Sequence, residues 1–210
     1  MHPNPAYRQI PTDTILAFAR DRGFGTLTVN GPDGPLASHI PFVVRPDHTS
    51  LELHLVRSNP IARALATPQA ALLAVTGPDG YISPDWYGME DQVPTWNYVA
   101  AHLRGTLTAL SPDEMRGQLD RLSAEFESRL LPKAPWRVEK MPAEALDRLM
   151  RMILPCRFDI ATVDGTWKLG QNKPGAARLG AADGMAAAGI GSEIAALADL
   201  MRRSAEDTPA

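Results

Sequence analysis

Apolar and polar positions along the chain fall into short blocks, most of them ended by a proline or a glycine. Ile15, Leu16, Phe18 and Ala19 follow Pro11-Thr12-Asp13 at helical spacing, and Gly23 closes that helix. Residues 24–29 alternate apolar and small side chains. Residues 35–44 form a second strand beyond the turn Gly31-Pro32-Asp33-Gly34. Residues 51–56 set Leu51, Leu53 and Leu55 against Glu52 and His54. A turn around Asp47-His48 predicts that the second and third strands pair antiparallel. Asn59 as cap and Pro60 at the first position then open a short helix ending near Thr67-Pro68. The apolar run at 71–76 predicts a buried strand, and Gly77-Pro78-Asp79-Gly80 is expected to turn the chain.

Residues 95–110 read as a long strand bent at Gly105. Ser111-Pro112-Asp113-Glu114 is the clearest helix start, and Met115, Leu119, Leu122, Phe126 and Leu130 keep helical spacing after it. A second helix follows Pro142 and carries Leu146, Leu149, Met150 and Ile153. Residues 157–163 predict a strand, Gly165 a turn and residues 167–169 a last strand. The tail is rich in Ala and Gly; Ser192 is expected to cap a helix bearing Ile194, Leu197, Leu200 and Met201, with mobile residues after about Arg203. No repeat or compositional break divides the chain. We therefore expect one domain over 1–180, with helices inserted at about 112–152 and a helical extension at 181–210. The predicted class is α+β, an antiparallel barrel decorated with helices.

Composition narrows the function classes. Hydrophobic residues make up 44% and charged residues 21% of the 210, ordinary for a globular protein. Nineteen prolines punctuate many short elements rather than forming a linker. A net charge of −3 gives no broad footprint for nucleic acid. The single cysteine, Cys156, excludes an internal disulfide and agrees with a reducing compartment. The first residues lack the pattern of a secretory signal, and no apolar run approaches the ~20 residues that span a bilayer. A cytoplasmic location without a membrane span is expected.

Three places could carry chemistry. Tyr81, Trp86, Tyr87, Trp96 and Tyr98 crowd a segment broken by Pro84 and Pro94; such rings suit a flat ligand, a subunit contact or a plug for one end of a β core. At Arg57-Ser58-Asn59-Pro60 a strand gives way to a helix. Backbone N–H groups there, with Arg57 and Arg63, would suit a phosphate; an ordinary cap beside solvated arginines would look the same. Lys168 through Lys173 end a strand with Gln171 and Asn172, whose amides donate and accept at once. His39 and His54 on neighbouring strands lack a third ligand at metal spacing, so no metal site is expected. Nucleophile-elbow, phosphate-loop and dinucleotide motifs are missing from the sequence.

SHIPF at 38–42, LHLVRSNP at 53–60, YISPDWY at 81–87, VPTWNY at 93–98 with His102 and Gly105 beyond, and WKLGQNK at 167–173 together resemble the PaiB-like transcriptional regulators. These are a branch of the FMN-binding split-barrel superfamily. Gly170 stands where that family usually has serine, and Asp85 and Gly88 depart from its YISPSWYP motif. The resemblance implies a homodimer of split barrels with two FMN sites at the subunit interface. It implies the strand segment Ala37–Ile40, with Ser38 and His39, beside the isoalloxazine, His54 among the cofactor-binding residues, and Arg57, Ser58 and Asn59 near the phosphate. Thr95, Trp96, Asn97, Lys168, Gln171 and Asn172 would complete the pocket. The function it implies is negative regulation of transcription through flavin or ligand occupancy. The negative charge, and the lack of a helix-turn-helix with a basic recognition helix, argue against direct DNA contact. The competing readings are an FMN-dependent oxidoreductase of the pyridoxamine-phosphate-oxidase kind, then a haem protein using His39, His54 or His102 as axial ligand.

Overall fold

A computed structural model describes residues 1–206 of the chain. The protein is α+β, an antiparallel split barrel carrying helices. Its strands are β1 (Phe24–Gly31), β2 (Gly34–Pro41), β3 (Val43–Val44), β4 (Ser50–Val56), β5 (Gln69–Ile82), β6 (Thr95–Ala109), β7 (Ile153–Lys168) and β8 (Gly191–Ser192). The helices are α1 (Thr12–Arg22), α2 (Pro60–Ala64), α3 (Met115–Ser128), α4 (Ala143–Met150), α5 (Gly175–Ala188) and α6 (Ile194–Glu206). Strand order is β2-β1-β5-β6-β7-β4-β3, with β8 on β5. The chain divides into two units: Met1–Ile15, Thr76–Ala101 and Asp164–Ala210 form one, Leu16–Val75 and His102–Val163 the other.

In the second unit the expected hairpin forms. β1 pairs with β2 in register from Phe24 opposite Pro41 to Gly31 opposite Gly34, and Gly34 takes a φ of 127° that a side chain would resist. The pairing expected between the second and third predicted strands is confined to β3, where Val43 faces Glu52 and Val44 faces Leu51. Phe42, which follows Pro41, separates β3 from β2, whose whole length is taken by β1. Leu27, Leu53, Leu73, Leu103, Leu107 and Phe158 form the buried core. Glu52 alternates with the leucines of β4 and is itself buried. Arg121 of α3 pairs with it at 2.7 Å and Arg45 at 3.1 Å, which offsets the cost of taking its charge out of water. Gly105 is required by close approach: a Cβ there would lie 1.8 Å from the Asp159 carbonyl oxygen of β7.

The first unit holds two corrections. Gly77-Pro78-Asp79-Gly80 does not turn: β5 runs on through Ile82, because Asp79 and Gly80 pair with Ser192 and Gly191 of β8. Gly165 likewise sits inside β7, packed against Ile15 and Trp167, so the two predicted strands are one. The Ala/Gly tail contains an unexpected helix, α5, in which Ala181, Ala182 and Met185 are buried. Its Gly180 and Gly184 form a groove for Trp86, which a Cβ at Gly184 would meet at 2.4 Å. Packing onto the indole and α6 outweighs the roughly 1 kcal/mol that each glycine costs a helix. α6 continues past Arg203 to Glu206; the rest of the tail expected to be mobile lies outside the described residues.

Candidate functional site

The residues that the sequence singled out form two clusters, one in each unit. In the unit of β1–β4, Asn59 ends the loop after β4 with extended backbone, and its side chain does two jobs. The carboxamide oxygen accepts the Ile61 N–H at 2.9 Å, capping α2, while Nδ2 donates to Ser38 Oγ of β2 at 3.0 Å. The strand-to-helix junction is thereby fastened to the second strand. α2 is only five residues long and Pro60 supplies no N–H, so side chains rather than the helix end carry the case for an anion. Arg57 is exposed and oriented from behind: its backbone N–H donates to the Met152 carbonyl at 2.9 Å, and Nε donates to the Arg151 carbonyl at 3.0 Å. Its terminal nitrogens have no partner among the described residues. Arg57 borders a cavity of about 630 Å³ that Arg116, Arg151, Asp113, Asp147 and Met150 also line. Ser58 and Arg63 are exposed beside this junction.

Ala37 and His39 lie exposed on β2, which among the described residues pairs with β1 alone. His39 Nδ1 shares a hydrogen bond with Thr26 Oγ1 at 3.0 Å, and its ring stacks at 6.4 Å from Phe24. His54, half-buried on β4, has Nδ1 without a partner among the described residues, and burial holds its pKa below the ordinary value. Cys156 is fully buried, and burial pushes its thiol up to about 12, so it is no nucleophile at neutral pH.

In the other unit, Lys168 at the end of β7 donates to Thr95 Oγ1 and, at 2.8 Å, to the Trp96 carbonyl, both at the start of β6. Burial lowers its pKa. Asn97 is 1% exposed; its Nδ2 contacts Met201 Sδ at 3.5 Å and its Oδ1 has no partner among the described residues. Asn172 Oδ1 accepts from the Tyr7 hydroxyl at 2.9 Å. Gln171 is a strut: it accepts from the Leu169 N–H and donates to the Trp167 carbonyl, which leaves little of its amide for a ligand. Trp96 is 46% exposed, with Tyr81 edge-on to it at 6.3 Å. Trp86 and Tyr87 are packing residues, Trp86 in the α5 groove and Tyr87 buried. Tyr7, His2, Gln92 and Lys173 also line this second pocket, and only Lys173 lay in a motif singled out from the sequence. The others reach it from the first residues and the loop before β6, where local sequence carries no such signal.

The first cluster fits a phosphorylated planar cofactor. Arg57 and Arg63 bring forked cations, Ser38 and Ser58 bring hydroxyls, and the outer edge of β2 presents backbone donors and acceptors suited to a ring edge. The adjoining cavity is within the size range of small-molecule sites.

The model of the family described as "Putative FMN-binding domain" matches residues 1–162. Protease synthase and sporulation protein PAI 2 of Bacillus subtilis is 28% identical over 172 residues, covering 80% of this chain and 82% of that protein. The uncharacterized protein YKL070W of Saccharomyces cerevisiae is 36% identical over 117 residues, 50% of this chain and 69% of that one. Among solved structures, the FAD and heme binding protein from Mycobacterium smegmatis aligns with a TM-score of 0.57 at 20% identity, covering 78% of this chain and 74% of that chain. The flavocytochrome Anf3 from Azotobacter vinelandii gives 0.57 at 13% identity, covering 81% and 73%. At such identities these two likenesses establish the fold alone.

Proposed function

The chain belongs to the FMN-binding domain family, and from that premise we propose that it holds FMN with the phosphate at Arg57-Ser58-Asn59 and acts as a flavin-dependent regulator of the PaiB kind. The observation that carries the phosphate assignment is the geometry of Arg57. The Arg151 carbonyl takes its Nε, so the fork presents its two terminal nitrogens in a fixed direction. A pre-oriented guanidinium loses less entropy on gripping a phosphate than a free one. Asn59 and Ser38 keep the neighbouring loop and strand from moving apart when the anion arrives. Bound FMN would supply one- and two-electron redox chemistry; the protein would supply orientation and charge.

Regulation through occupancy, without direct DNA contact, is the reading that the charge supports. The chain carries −3, and its sequence shows no helix-turn-helix pattern with a basic recognition helix. Promoter DNA is therefore expected to show no mobility shift even at low salt, where electrostatic affinity is greatest; a shift there would overturn the indirect mode. For the cofactor, Arg57→Ala is expected to weaken FMN binding by about 1.5–3 kcal/mol, the usual worth of a charge-assisted contact. Flavin fluorescence titration reads this directly, and unchanged affinity would remove the phosphate assignment.

A further inference from the structure

Between the end of α1, strand β3 with the turn after it, and α3 lies a cavity of about 390 Å³, within the size range of small-molecule sites. It belongs wholly to the unit of Leu16–Val75 and His102–Val163, and it shares no lining residue with the flavin reading. Val43, Val44, Pro46 and Ala124 give it apolar walls. Arg20, Arg45, Arg121 and His48 line it as well, and Glu125 is the one acid on the lining among the described residues. That acid is already engaged, because Arg129 pairs with it at 2.6 Å.

The cations on this lining outnumber their counter-charges. Arg121 and Arg45 share the single carboxylate of buried Glu52: Arg121 donates through Nε at 2.7 Å and Nη2 at 3.0 Å, Arg45 through Nη1 at 3.1 Å. Two guanidinium groups on one carboxylate leave a positive charge over. Asp47, exposed in the turn after β3, accepts the Thr49 N–H at 3.1 Å and does not line the cavity. Arg121 serves as a wall, since its remaining Nη1 stands by Gly117, where a Cβ would meet it at 3.2 Å. Arg45 is held by one nitrogen, and its Nε and Nη2 have no partner among the described residues. The Arg20 side chain makes no hydrogen bond or ion pair among the described residues, while its backbone is fixed by Arg129, whose Nη2 donates to the Arg20 carbonyl at 2.9 Å. We propose that this cavity binds an aromatic carboxylate, its ring against the two valines, Pro46 and Ala124 and its carboxylate on the forks of Arg20 and Arg45. A guanidinium fork matches a carboxylate and its flat face stacks on a ring, whereas inorganic phosphate has no apolar body to cover the valines. This goes beyond the flavin reading and does not rest on it.

The test is titration of the full chain, flavin-free and FMN-loaded, with benzoate, benzyl alcohol, acetate and inorganic phosphate, read by calorimetry and backbone NMR. Benzoate is expected to bind about tenfold or more tighter than the other three in both forms, and to shift the amides of Val43, Val44 and Ala124. Arg20→Gln and Arg45→Gln should each weaken benzoate about tenfold. Arg104→Gln, on β6 and outside the lining, should leave it unchanged. Arg45→Gln keeps Glu52 on the two bonds from Arg121; should it still fail to fold, Arg20→Gln decides alone, because that side chain holds nothing else among the described residues. Benzyl alcohol, acetate or phosphate binding as tightly as benzoate overturns the proposal. So does benzoate affinity that survives Arg20→Gln, or shifts confined to amides elsewhere. Displacement of benzoate by FMN overturns it too, since that gives the cavity to the flavin.

Discussion

At the scale of single residues, the account rests on side chains whose free atoms face one way. Arg57 is turned by a backbone carbonyl, Asn59 spends its amide on a cap and a strand, and His54 is a ring that burial keeps neutral. That last state makes a pH prediction. Burial penalises the imidazolium, so the folded pKa lies below an unperturbed 6.5 and the unfolded chain takes up the proton first as pH falls. The stability that the neutral ring contributes is complete above that unfolded value and is lost as pH falls through the folded one. Urea midpoints measured near pH 7.5 and near pH 5.5 should therefore drop less in His54→Gln than in the native chain; an equal drop would mean that His54 does not report on folding. Much of this scale was legible in the sequence. Asn59 before Pro60 announces a cap because the capping bond is local, whereas the Asn59–Ser38 bond joins residues far apart in sequence and only the fold brings them together. Tyr7 and the orphaned Asn97 oxygen were illegible for the same reason.

At the scale of elements, the instructive pair is Gly-Pro-Asp-Gly at 31–34 and again at 77–80. The first makes the β1–β2 hairpin; the second is extended strand, because β8 supplies hydrogen bonds that a turn would forgo. Turn propensity is a local preference, and a partner strand arriving from more than a hundred residues away outweighs it. The same competition hid α5, whose glycines carry no helix signal of their own and make sense once Trp86 is seated on them. Gly105 shows the converse, a glycine whose place in a strand the sequence marked and whose reason is a neighbouring backbone. Gly105→Ala sets a Cβ against the Asp159 carbonyl, and separation of β6 from β7 there should cost roughly 1–3 kcal/mol or more. Chemical denaturation checks this, and a variant as stable as the parent would show that the strands have slack.

At the scale of the whole molecule, no described helix is long and apolar enough to cross a membrane. Met89, Val93 and Trp96 are exposed apolar side chains close together in sequence, and we propose that a homodimer would cover them. Sedimentation should return about twice the 22.8 kDa of one chain, and Trp96→Ala should shift the mass toward the single chain; a monomer at every concentration would contradict the dimer. The family supports FMN, and the cationic junction is where we propose that its phosphate sits. The measurement that tests this most directly is a parallel fluorescence titration with FMN and with riboflavin, which differ only by the phosphate. The account predicts FMN tighter by about tenfold or more, with Arg57→Ala erasing the difference. Equal affinity for the two flavins, or a preference that survives the loss of Arg57, would contradict it.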